Sequence, residues 1–95
     1  MTITALAAAD QGFEKSVDRL FEFVRIQSIS TDAAYKSECE KAARWLVVEL
    51  TGLGFSAEVR PTPGRPMVVA HYTPKSVSAK TPHVLFYGHY DVQPV

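Results

Sequence analysis

The chain has 95 residues, 46% hydrophobic and 21% charged, with ten Lys and Arg against ten Asp and Glu. This composition belongs to a single small globular domain and excludes fibrous and disordered classes. The balanced charge leaves no basic field to attract a phosphate backbone, so nucleic acid is not an expected partner.

The first residues, "MTITALAAADQGF", include an apolar stretch at 3–9 that lacks the basic leader and the length of a secretory signal. They read as a frayed or helix-leading end. No run in the chain reaches the roughly 18 apolar residues of a membrane span, and the expected compartment is cytoplasmic, with no membrane partner.

From Phe13 onward the apolar residues Phe13, Val17, Leu20, Phe21 and Val24 recur at helical spacing, with Asp10 as the expected N-cap. The segment "QSISTD" then supplies hydroxyls and short polar side chains that compete with helical hydrogen bonds, which predicts a loop. Ser28, Ser30 and Thr31 read there as turn and capping groups rather than nucleophiles, since no base lies adjacent.

A second amphipathic helix places Cys39, Ala42, Ala43, Leu46, Val47 and Leu50 on one face and Lys41, Arg44 and Glu49 largely on the other. Ser37 and Glu40 have capping-box spacing, while Thr31 or Asp32 would cap an earlier start. Gly52 or Gly54 is expected to end it. Trp45 lies beside the apolar stripe as a packing residue. Cys39, the only cysteine, has no internal disulfide partner and reads as a small core residue.

The period then shifts to two. Phe55, Ala57 and Val59 alternate with Ser56, Glu58 and Arg60, "PTPGRP" is a turn, and "MVVAHY" is expected to pair back antiparallel. After the polar loop "TPKSVSAKTP" comes "VLFYGH", a continuous apolar run that suits a strand buried on both faces of an α/β sheet. The expected order is α-α-β-β-β, and the last strand is left without the neighbours and covering layers that an interior strand needs.

His89 and Asp91 follow Gly88 at the carboxyl end of that last predicted strand, the position where functional groups gather in open α/β sheets. In an extended chain residues i and i+2 share a side, so the pair would stand together with Tyr90 turned away. A neutral imidazole is a common zinc ligand, and a ligating histidine usually gives its second N–H to a carboxylate or carbonyl. An isolated H-x-D is a frequent chance pairing, so the weight falls on its placement and on the surrounding string. His71, His83 and His89 have no helix-face or finger spacing that would make a self-contained zinc site.

"GHYDVQPV" after "VLFY" resembles the first metal-binding motif of the zinc metallopeptidase family of aminoacylases, glutamate carboxypeptidases, succinyl-diaminopimelate desuccinylases and carnosine-type dipeptidases. The "DVQP" variant looks most like the dipeptidase branch, which includes the cytosolic nonspecific dipeptidases. The helix, "IQSIST" loop, helix ending "LTGLGF", strand "AEVR" and hairpin are similar in order to the start of that family's catalytic domain.

The resemblance implies an α/β fold with helices flanking a mixed β-sheet, zinc-exopeptidase-like, of which residues 1–95 are the N-terminal part of a single catalytic domain. It implies two zinc ions, with His89 as a ligand of one and Asp91 as the active-site carboxylate that orients it. It also implies a dipeptide or N-acyl amino acid substrate, a metal-activated water with a glutamate base, and a homodimer formed through a second domain not present in these residues. The bridging aspartate, the glutamate pair and the other ligands of the family pattern are not found here, so this chain alone is expected to be silent as a hydrolase. The rival expectation is a small non-enzymatic α/β interaction module that recruits a partner by strand addition, and association through an exposed strand is expected of the isolated chain.

Overall fold

Alanine and leucine favour a helix without help from packing, and of the two expectations for the first residues, a frayed or a helix-leading end, the helical one holds: they form α1 (Thr2–Gln11). The computed structural model describes residues 2–95. Because α1 already runs through Asp10, that side chain does not cap the next helix. The N-cap of α2 (Phe13–Val24) is Gly12, with no side-chain cap bond. Gly12 joins the two helices directly, its N–H donating to the Ala8 carbonyl and its own carbonyl accepting from Ser16, at 3.0 and 2.9 Å.

The helical stripe of α2 is present, but among the described residues nothing covers most of it, and Phe13, Leu20, Phe21 and Val24 are exposed. The attachment is instead made by a residue outside that stripe. Phe23 stacks on Trp45 with ring centroids 4.8 Å apart and planes 16° from parallel. The indole N–H of Trp45 donates to Glu22 Oε1 at 2.6 Å, so Trp45 packs as expected and anchors the last turn of α2.

Asp32, one of the two alternative caps, accepts the Ala34 N–H at 2.9 Å and starts a 3-10 turn at Ala33–Tyr35. That turn leads directly into α3 (Lys36–Gly52), so the capping box is not used: Ser37 and Glu40 lie inside the helix, whose N-cap is Tyr35. The 3-10 turn has already ordered the backbone upstream of Ser37.

At its other end α3 closes on Gly54, at φ 98°. The Phe55 N–H donates to the Leu50 carbonyl and the Gly54 N–H to the Thr51 carbonyl, both at 3.0 Å, the paired bonds of a Schellman motif.

Strands β1 (Ser56–Arg60) and β2 (Met67–His71) form an antiparallel pair with Ser56 opposite His71 and Arg60 opposite Met67. The turn between them is closed by Thr62, whose hydroxyl accepts the Gly64 N–H at 3.1 Å and donates to the Arg65 carbonyl at 2.5 Å. Helix α3 packs on this hairpin.

The buried core consists of Ile26, Ile29, Cys39, Ala42 and Ala43. On α3 the small residues Cys39, Ala42 and Ala43 occupy one face at spacing i, i+3, i+4, which lets backbone approach closely. The core is small for the chain. The radius of gyration is 15.9 Å, against about 12 Å for a compact domain of this length.

The architecture is therefore a small α/β chain with three α-helices and a two-strand antiparallel sheet among the described residues. The expected third strand does not form. Residues 84–89 pair with no sheet edge, and Leu85, Phe86 and Tyr87 are 90%, 87% and 89% exposed. A strand is defined by its partner, and among the described residues this run has none. No described helix is long and apolar enough to cross a membrane.

Candidate functional site

The loop after α2 builds the site. Ile26, Ser28 and Ile29 are buried, and two successive three-residue turns fold the loop, Ser28 N–H to Ile26 O and Ile29 N–H to Gln27 O, both at 2.8 Å. Its start is tied to α3 by the Gln27 N–H, which donates to Glu38 Oε1 at 3.3 Å.

Residues 90–92 return to this loop. The Ser28 hydroxyl donates to the Tyr90 carbonyl at 2.9 Å, and the Val92 N–H donates to the Ser28 carbonyl at 3.0 Å. Between these two contacts the Ser30 hydroxyl donates to Asp91 Oδ2 at 2.6 Å. The other carboxylate oxygen, Oδ1, lies 2.8 Å from His89 Nδ1.

Tyr90 turns the opposite way, as the alternation predicts. Its hydroxyl donates to the Pro66 carbonyl at 2.7 Å, fastening the segment to the hairpin turn. Next to Pro66, Arg65 donates through Nη2 to the Asp32 carbonyl at 3.2 Å. Thus the loop after α2, the hairpin turn and residues 89–92 converge on one edge of the molecule.

The electrostatics follow from these contacts. The Ser30 hydroxyl, and after it the His89 ring, hold the Asp91 carboxyl below the ordinary carboxylate range. Burial pushes the Tyr90 phenol up. Burial also raises the Cys39 thiol, although the neighbouring Arg65 guanidinium opposes it. Cys39 is fully buried, which matches its reading as a core residue.

With Asp91 ionised, its oxygens can only accept. His89 Nδ1 must then carry a proton, and in the neutral ring Nε2 is left with the lone pair. The side chains of His89 and Asp91 are 74% and 41% exposed, so that nitrogen is within reach of solvent. An open groove of about 790 Å³ runs beside the pair, with Phe23, Leu46 and Val68 among its apolar walls and Arg65 and His89 among its polar ones.

The donor set suits one ligand of a zinc ion with its orienting carboxylate. Among the described residues no group of three or more His, Cys, Asp or Glu side chains is placed to hold a metal. His71 closes β2, and His83 lies in the loop before residues 84–89.

The structure brings His89 and Asp91 together as the spacing predicts. Ser28 lies in the turns expected of this loop, but neither serine caps a helix: the Ser28 and Ser30 hydroxyls hold the returning chain. The local signal for this is slight: hydroxyls alternating with the apolar residues Ile26 and Ile29, which are buried. The chain has no match among known family models, curated proteins or solved structures.

Proposed function

We propose that this chain is the N-terminal part of the catalytic domain of a zinc-dependent metallopeptidase of the dipeptidase branch, acting on dipeptides or N-acyl amino acids. The observation that carries this reading is the 2.8 Å contact between His89 Nδ1 and Asp91 Oδ1, which leaves Nε2 as the ring's free nitrogen. His89 serves as a zinc ligand and Asp91 fixes its tautomer and orientation. Zinc in such a site supplies an activated water for attack on the peptide carbonyl.

A catalytic zinc takes about three protein ligands. One imidazole does not complete that shell, so in this reading the other ligands and the general base come from outside the described residues. The parent fold is the zinc-exopeptidase-like one, helices flanking a mixed sheet. The uncovered apolar residues 84–87 are the surface on which its remaining elements pack.

The test is a zinc titration of the 95-residue chain followed through its three histidine side chains by NMR. His89 should respond ahead of His71 and His83, with a Kd weaker than about 1 μM, and His89→Ala should remove that response. A His89 ring indifferent to millimolar zinc would overturn the reading, as would a tighter site that survives His89→Ala.

A second reading rests on a different observation, the exposure of Leu85, Phe86 and Tyr87. It is the non-enzymatic module that binds a partner by strand addition. It is favoured if zinc leaves His89 unmoved while residues 84–87 gain amide protection on association.

A further inference from the structure

The contacts around Asp91 assign a role to Ser30. We propose that Ser30 is a positioning residue which, through Asp91, sets the tautomer and aim of His89 so that Nε2 presents its lone pair outward. This rests on the reading of His89 as a zinc ligand, and it concerns the chain's own residues before any metal arrives.

The argument starts from the two oxygens of one carboxylate. Oδ2 takes the Ser30 hydroxyl at 2.6 Å, and Oδ1 faces His89 Nδ1 at 2.8 Å. The terminal torsion of an aspartate is broad and roughly two-fold, so a carboxylate held at one oxygen alone can swing. Held at both, it presents Oδ1 in a fixed direction.

Ser30 is itself fixed, because Ser28, two residues earlier, is buried and makes both the hydroxyl bond to Tyr90 and the backbone bond from Val92. The loop therefore sets where residues 90–92 lie, and the Ser30 hydroxyl sets how the Asp91 carboxylate is turned.

The His89 ring has no other hydrogen-bond partner among the described residues and is 74% exposed. A free histidine imidazole in water carries its proton mainly on Nε2, the wrong nitrogen for a ligand that coordinates through Nε2. An acceptor at Nδ1 reverses that preference, and Ser30 keeps the acceptor in place. The hydroxyl reaches no reacting atom; it acts through Asp91.

The experiment uses the metal-free chain labelled with 15N-histidine, at a pH about 1.5 units above the ordinary imidazole pKa of ~6.5. Imidazole 15N shifts distinguish the two neutral tautomers, and His71 and His83 serve as internal references. Wild-type His89 should be predominantly protonated on Nδ1. Ser30→Ala should move it toward Nε2 protonation, and Ser30→Thr, which keeps a hydroxyl, should restore the wild-type pattern. The zinc response of His89 should weaken by about tenfold in Ser30→Ala, the lower end of the effect of losing a group that orients a ligand.

An unchanged tautomer in Ser30→Ala overturns the role of Ser30. So does an Nε2-protonated His89 in the wild type, a result that does not depend on any variant folding. Zinc that leaves wild-type His89 unmoved would overturn the metal reading instead, while the tautomer result still decides the role of Ser30.

Discussion

The hydroxyl of Ser28 donates to the carbonyl of Tyr90 at 2.9 Å, across 62 residues of chain. Both partners sit where the loop after α2 meets residues 90–92, and Ser28 is almost wholly buried. This bond and its backbone neighbour from Val92 place the His89–Asp91 pair on the body of the protein. Ser28→Ala leaves the Tyr90 carbonyl without its donor in a part-buried setting and should cost about 1–2 kcal/mol. Urea denaturation reads the loss, and amide exchange at Val92 should rise with it. Unaltered stability and protection would show that the segment is held by other means.

Phe23 anchors α2, and Phe13, though more prominent in the helical pattern, does not. Phe23→Ala removes the stacked contact with Trp45 and should cost about 1–2 kcal/mol, the stacking part being about 0.5–1.5. Trp45 emission should shift to the red as its ring is uncovered. Phe13→Ala, at an exposed position, should stay within about 0.5 kcal/mol of wild type. Equal effects from the two substitutions would refute this assignment.

Gly54 and Gly52 are two residues apart and should respond in opposite directions. At Gly54, φ is 98°, and an added Cβ would come no closer than 3.6 Å to the Tyr72 ring, so the cost is backbone strain rather than a clash. Gly54→Ala should destabilise by about 1–2 kcal/mol. Gly52 ends α3 with nothing within 4 Å of an added Cβ, and Gly52→Ala should be neutral or stabilising by up to about 1 kcal/mol. Chemical denaturation midpoints of the two variants check the contrast.

Cys39 governs an alkaline limb of stability. Burial raises its thiol pKa in the folded chain, so the folded state holds that proton more tightly than the unfolded one. The contribution is full below the ordinary thiol value of about 8.5 and is lost as pH rises through the raised folded value. The half-buried Tyr90 phenol is shifted the same way and acts over a higher range, starting near about 10. Cys39→Ala should therefore flatten the fall in urea midpoint that begins above about pH 8.5, leaving the phenol's part. Alkylation of Cys39 in the native chain should be slow and should accelerate with denaturant, since the side chain is fully buried.

Residues 84–87 should make the isolated chain associate. Leu85, Phe86 and Tyr87 are about nine-tenths exposed, and no charged residue lies between Lys80 and Asp91. Uncharged apolar runs that lack a partner edge associate at micromolar concentrations and above. Sedimentation velocity over that range should show concentration-dependent association in the wild type and its reduction in Phe86→Lys. A monomer throughout would refute this expectation.

Several features were legible locally. The alternation of Ala57 with Ser56 and Glu58, and the prolines and Gly64 that follow, specify the hairpin, because strand pleat and turn conformations are set within a few residues. A glycine end to α3 is legible for a similar reason, and of Gly52 and Gly54 it is Gly54 whose φ is one that L side chains rarely adopt. The adjacency of His89 and Asp91 also follows from spacing alone. Asp10 does not cap a helix because an alanine-rich run continues α1 through a residue that would otherwise start one.

What the amino-acid sequence determined by itself is thus the set of local preferences: where helices run, where the hairpin turns, and which two side chains near residue 90 share a face. Tertiary structure alone decided which groups those elements meet. It placed Ser28 and Ser30 against residues 90–92, made Phe23 rather than Phe13 the contact to Trp45, and left residues 84–89 unpaired. The physical reason is range. A dihedral preference or a cap acts over three or four residues, whereas a hydroxyl has the same donor and acceptor capacity whether its partner is nearby in sequence or 61 residues away, as Asp91 is from Ser30. Only the folded path of the chain selects between those partners.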